Sequence, residues 1–180
     1  MREFPSILLS EASIASADAS AIVNSNISVV NFLRHSEVGD NELHPDALAS
    51  YCVDYYYTTL QEEGLPAFIH KTKWDNDIIE IIHAALLAMN APLHLEYFEK
   101  QIRRVKGFSK VKFTKFLQAD LGKDTANAAL LDDKTHQDIT EDLRAINGNW
   151  LQNHPDTQIV SIEEMQDIIT EFLSTEQEED

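Results

Sequence analysis

Glu163, Asp167 and Glu171 follow one another at four-residue intervals in the last apolar-periodic stretch of the chain. On an α-helix that spacing lines three carboxylates along one face, with Glu164 beside them. Ile162, Met165, Ile169, Phe172 and Leu173 fall on the opposite side, and no Lys or Arg interrupts the acidic stripe. A helix surface made for stability alone mixes signs, because Glu–Lys pairs at i, i+4 help and like charges hurt. What such a stripe can do is hold cations: each carboxylate can stand in for a phosphate opposite Lys or Arg. Asp138, Glu141 and Asp142 make a second acidic group at i, i+3, i+4, preceded by Asp132 and Asp133, with Lys134 and Arg144 close enough to dilute it. Four helical residues rise about 6 Å, whereas duplex DNA carries a charge about every 3.4 Å on each strand. One stripe is too sparse to imitate a strand, so several helices or two subunits would have to pool their acids.

Motifs for other chemistry are absent. The glycines are scattered, which leaves no phosphate-cradling loop, and there is no G-x-S-x-G, C-x-x-C or H-E-x-x-H. The seven histidines include no pair at i, i+4 that would put two metal ligands on one helix face. His83 lies in an apolar run and reads as a core histidine with one hydrogen-bond partner. Asp75 and Asp77 lack the glycine and distal Glu of a calcium loop and read as a helix cap. Cys52 stands alone in an aromatic run, as an inert buried thiol does, and excludes an intrachain disulfide. The tyrosines at 51, 55, 56 and 57 read as core packing with hydroxyls reaching partners at the edge. These readings call for no enzyme, no cofactor and no metal.

Charge gives the chain its character. Thirty-one acidic residues face fourteen basic ones, a formal net charge of −17 over 180 residues. The acids gather at the two ends, and the middle is mildly basic. Charge this far from neutrality repels itself in a compact state, and a basic partner would offset that repulsion. Lys100–Lys115 holds seven basic residues with Phe108 and Phe113 among them. In so acidic a chain this segment is expected to pair with acidic segments, within the subunit or across a dimer, and not to bind nucleic acid directly.

The elements that must position these residues are helical nearly throughout. Five Gly and five Pro interrupt the chain, which is 43% hydrophobic, and no convincing alternation marks a strand. Helices are expected over 46–63, 78–89 (apolar on nearly every side, hence central), 92–107 and 109–121, with one or two more over 124–147. Ser161 and Glu164 form a capping box that opens a last helix over 162–173. The expectation is an all-α protein: a single compact helical domain of seven to nine helices over 1–175, with a frayed acidic tail at 176–180. The N-terminus does not read as a signal peptide, and no stretch is apolar enough to cross a membrane. The chain therefore reads as cytoplasmic.

Tyr51–Asp75 carries a Y-x-V-D-Y-Y helix ending in Glu63–Gly64, then an apolar-aromatic segment, then Trp74–Asp75 entering the next helix. This stretch resembles the core of the bacterial DNA-mimic protein family of the DMP type. The likeness is clearest over 45–105, and the W-L-x-x-H-P segment (Trp150, Leu151, His154, Pro155) is also similar. The family pattern has two glycines where this chain has Glu63–Gly64, and these motif residues look like scaffold. The resemblance implies an acidic, all-helical homodimer without enzymatic activity. Such a protein occupies the DNA-binding face of a helix-turn-helix transcription regulator and blocks its DNA binding. The phosphate-mimicking carboxylates would then be Glu163, Glu164, Asp167 and Glu171, joined by Asp132, Asp133, Asp138, Glu141 and Asp142. The alternative is an acidic helical module that inhibits a basic protein unrelated to DNA.

Overall fold

The structure is a computed structural model and describes residues 3–175; the acidic tail at 176–180 lies outside the described residues. In chain order the elements are β1 (Ile7–Ser10), α1 (Glu11–Ala15), α2 (Ala19–His35), α3 (Pro45–Glu62), α4 (Leu65–Thr72), α5 (Asn76–Ala88), α6 (Pro92–Lys106), α7 (Lys110–Gln118), α8 (Thr125–Ala129), α9 (Leu143–Gln152), β2 (Thr157–Val160) and α10 (Ile162–Ser174). Short 3-10 turns cover Asp40–Glu42 and Lys134–Asp138. The fold is all-α: among the described residues there are ten α-helices, eight of them seven residues or longer, beside one two-stranded sheet. The chain contacts divide it into two compact units, the described residues of Met1–Tyr51 with Arg144–Asp180, and Cys52–Leu143.

The first unit contains the sheet, which the sequence pattern does not announce. β1 and β2 pair in parallel, with Ile7 opposite Thr157 and Ser10 opposite Val160. All four residues of β1 are buried, so no alternation marks it, as is usual for a covered parallel strand. Ser10 ends the strand and caps α1 by accepting from the Ser13 amide. At Gly148 α9 comes so close to α2 that a Cβ would lie 2.9 Å from Cβ of Ala19. That approach is why a residue without Cβ stands here inside the helix. Phe4 meets Phe172 of α10 edge-on at 4.9 Å between ring centres, which ties the last helix to the N-terminal segment.

The same unit holds a reciprocal clasp made from a repeated tripeptide. His44–Pro45–Asp46 opens α3, and His154–Pro155–Asp156 leads into β2. In each, the aspartate amide donates to its own histidine Nδ1 at 3.2 Å. Each ring therefore carries its proton on Nε2, and each Nε2 faces the other tripeptide's carboxylate: His154 to Asp46 at 3.0 Å, His44 to Asp156 at 3.4 Å. Both rings are almost covered. Histidines sharing one network should couple. Replacing His44 or His154 by Ala should each cost about 1–2 kcal/mol in urea unfolding. The double variant should cost less than the sum by about 1 kcal/mol. Strict additivity would show the two halves to be independent.

In the second unit the core is aromatic. Tyr56 is fully buried and meets Phe68 and Phe98 edge-on at 5.3 and 5.1 Å. Of the four clustered tyrosines it is the one in the core, whereas Tyr55 lies exposed. Cys52 is buried, as read. α4 fills the apolar-aromatic segment: it begins after Gly64, whose φ of 84° suits a residue without Cβ. Asp75 caps α5 through the Asp77 and Ile78 amides. α5 itself is not central. It buries Ile79, Ile82, Ala85 and Leu86 on one side and leaves Leu87 64% exposed. His83, expected in the core, is correspondingly half-exposed, with Nε2 3.1 Å from Glu99.

Candidate functional site

The first unit carries sixteen acidic and three basic residues, the second fifteen and eleven. The excess of acid therefore follows the fold, and α10 is its most ordered expression. Ser161 opens the helix with the expected capping box: its hydroxyl accepts from the Glu164 amide at 3.1 Å, and its own amide donates to Glu164 Oε2 at 2.9 Å. The bond from the Ser161 amide, with the Ser161 side chain beside it, favours the anion and holds the Glu164 carboxyl below its ordinary value. Glu164 stays exposed and anionic, but one of its oxygens is committed to the cap.

Glu163, Asp167 and Glu171 are exposed on the same helix, and none has a cationic partner among the described residues. Three carboxylates thus project over two turns with nothing to neutralise them. On the other side of α10 only Ile169 is buried; Met165, Phe172 and Leu173 are half-covered, and Ile162, placed by its spacing on the covered side, is 56% exposed.

The second acidic group lies in the other unit and divides into two kinds of residue. Asp133 is turned inward, with its side chain 8% exposed. It takes Lys100 at 2.8 Å and Arg104 at 3.4 Å from α6, the Gln101 amide at 2.9 Å, and the Thr135 amide and hydroxyl at 3.0 and 2.7 Å. Burial alone would raise its pKa. The hydrogen bonds from Lys100, Thr135 and Gln101 outweigh it and hold the carboxyl well below the usual range. Asp133 is an anchor that pins the loop to α6. Here the basic segment does pair within the subunit, as Arg103 does with Glu99. Its later part does not, for Lys106, Lys110, Lys112 and Lys115 have no acid within salt-bridge distance among the described residues.

Glu141 is also structural. α6 begins with Pro92 after an Ala91 whose side chain cannot cap, so its first amides need an acceptor. Glu141 Oε2 supplies it, accepting from Leu93 and His94 at 2.9 and 3.0 Å. Asp138 ends the 3-10 turn Lys134–Asp138 while Glu141 and Asp142 lie in irregular backbone before α9, so the three do not form the expected helical group. Asp138 and Asp142 are exposed, whereas Asp132 is half-covered and 4.0 Å from Lys134. Glu141→Ala should lower stability by about 1–2 kcal/mol, the range of a lost N-cap. Glu141→Gln, which still accepts, should recover most of it in thermal unfolding.

A model of the family described as DMP19-like protein matches residues 41–179. The chain belongs to that family. DMP19-like proteins are DNA mimics at the family level, in keeping with the DMP-type likeness of Tyr51–Asp75. No curated protein and no solved structure matches the chain. The family motif of this DMP19-like chain is scaffold, as its residues suggest: Val53 and Tyr56 are wholly buried. The stripe lies outside that motif. Sequence reasoning also passed over Phe32 on α2, 55% exposed; the one available signal was a large aromatic at a helix position that the apolar period left outside.

Proposed function

We propose that this DMP19-like chain is a DNA mimic that occupies the DNA-binding face of a helix-turn-helix regulator and thereby blocks its access to DNA. The observation that supports this reading best is the α10 stripe, where Glu163, Asp167 and Glu171 stand exposed with no cation of their own. Lys and Arg that grip phosphates meet these carboxylates instead, at charge-assisted hydrogen-bond range. Asp138 and Asp142 are further exposed carboxylates for the same use. Because one stripe supplies a charge only about every 6 Å, the working unit is a homodimer that presents two stripes. Its action is binding, without turnover. It touches protein, not nucleic acid or membrane, in the cytoplasm.

The test is capture on the immobilised chain from a bacterial lysate at low salt, followed by elution in a salt gradient. A DNA-binding regulator eluting at moderate salt is the expected result, since phosphate-like contacts weaken steeply with salt. Recovery of only basic proteins without DNA-binding activity would contradict the proposal.

A further inference from the structure

α2 and α10 leave between them an open groove of about 420 Å³. Val29 and Ile169, each 5% exposed, form its floor, and Phe32 and Ile162, 55% and 56% exposed, form its walls. No charged side chain lines it. Around α10, Gln166 and Thr170 separate this apolar strip from Glu163 and Asp167, so the groove has the anionic stripe as its margin. We propose that this groove seats an amphipathic, cationic helix of the protein partner. Apolar side chains at i and i+3 or i+4 would fill it, while Lys or Arg on the flank of that helix meet Glu163 and Asp167. This deepens, and rests on, the proposed function: the stripe imitates phosphate, and the groove adds what phosphate lacks.

Charge selects the occupant. α10 has no Lys or Arg, and Arg34 of α2 is held by Asp40 at 2.7 Å. A partner's flanking charges must therefore be positive. A second copy seated with its two-fold axis across the two helices would bring its own α10 stripe against the first, carboxylate to carboxylate. A helix laid into an apolar groove with a few spaced anchors is a recurrent mode of recognition, and the strip from Ile162 to Ile169 is about two turns long.

The probe is a synthetic fluorescent peptide of leucine and lysine, about 15 residues, with leucines at helical i, i+3, i+4, i+7 spacing. The control has the same composition in scrambled order. Binding to the full chain is read by anisotropy across a salt series. The patterned peptide should bind at least about tenfold tighter than the scrambled one, the usual weight of a few apolar anchors. Phe32→Ser and Ile162→Ser should each remove most of that advantage and leave the salt dependence alone. Both side chains are more than half exposed, and Thr170→Arg, at the groove margin, is a further variant that leaves the floor intact. Equal binding of the two peptides, or groove variants that bind like the parent, would overturn the proposal. So would a dimer in sedimentation that Phe32→Ser and Ile162→Ser turn into monomer, because a second copy would then fill the groove. If the peptide result holds while duplex DNA fails to compete with the natural partner, the groove stands and DNA mimicry falls.

Discussion

Changing Glu163, Asp167 and Glu171 together to lysine is expected to abolish partner binding, with affinity falling at least about a hundredfold. A charge-assisted contact contributes roughly 1.5 kcal/mol, so losing three already amounts to more than a hundredfold, and the new lysines then repel the partner's own cations. The fold should survive, because all three side chains are exposed and none holds a partner within the described residues. The one local cost is at Glu163, in the first turn, where a positive charge opposes the helix dipole by about 0.3–1 kcal/mol. Replacing the three by glutamine should weaken binding less and flatten its salt dependence, since each phosphate-like contact contributes close to one unit of slope. Retained affinity in the lysine variant would remove α10 from the interface.

Asp133→Leu should be strongly destabilising, at about 2–3 kcal/mol, because several charge-assisted bonds are lost while the partly exposed Lys100 and Arg104 regain water. Lys100 and Arg104 would lose the carboxylate they share, and the loop held through Thr135 would lose its tie to α6. The pH dependence has a definite sign. The Asp133 carboxyl titrates below its unfolded value, so its contribution is complete above about pH 4. It is lost as pH falls further toward the folded value. His94 behaves likewise in a higher window: burial lowers its pKa, so its neutral form stabilises the fold above about pH 6.5 and that contribution is lost on acidification. Urea unfolding from pH 7 downward should show stability falling first near pH 6 and again below pH 4. Asp133→Leu should erase the lower step and spare the upper one. A lower step that persists in the variant would assign acid sensitivity to other carboxylates.

How far the sequence carries depends on whether a residue's role is local. The α10 stripe, its capping box and the Asp75 cap follow from spacing within one helix, and all three lie where the sequence places them. The all-helical class follows in the same way from period and from the scarcity of Gly and Pro. Asp133 and Glu141 could not be read, because their partners Arg104 and Leu93 are 29 and 48 residues away. Only the folded chain shows that one neutralises α6 and the other caps it. β1 escaped notice because a strand buried on both faces has no alternation to see. The paired His-Pro-Asp tripeptides were visible as words, but nothing in the sequence says that each histidine faces the other's aspartate. Ile162 sits on the predicted inner side of α10, yet it is exposed because α2 does not close over it, which is a matter of packing and not of period.

The central claim is that the acidic surface and DNA occupy the same face of the partner. The most direct measurement is competition: the captured regulator is held on labelled duplex DNA at low salt and titrated with the chain. The account predicts complete displacement, with a midpoint that rises in proportion to DNA concentration, and no displacement by the triple lysine variant. A stable ternary complex of regulator, DNA and this DMP19-like chain would contradict it, and would leave an acidic helical protein that binds its basic partner elsewhere.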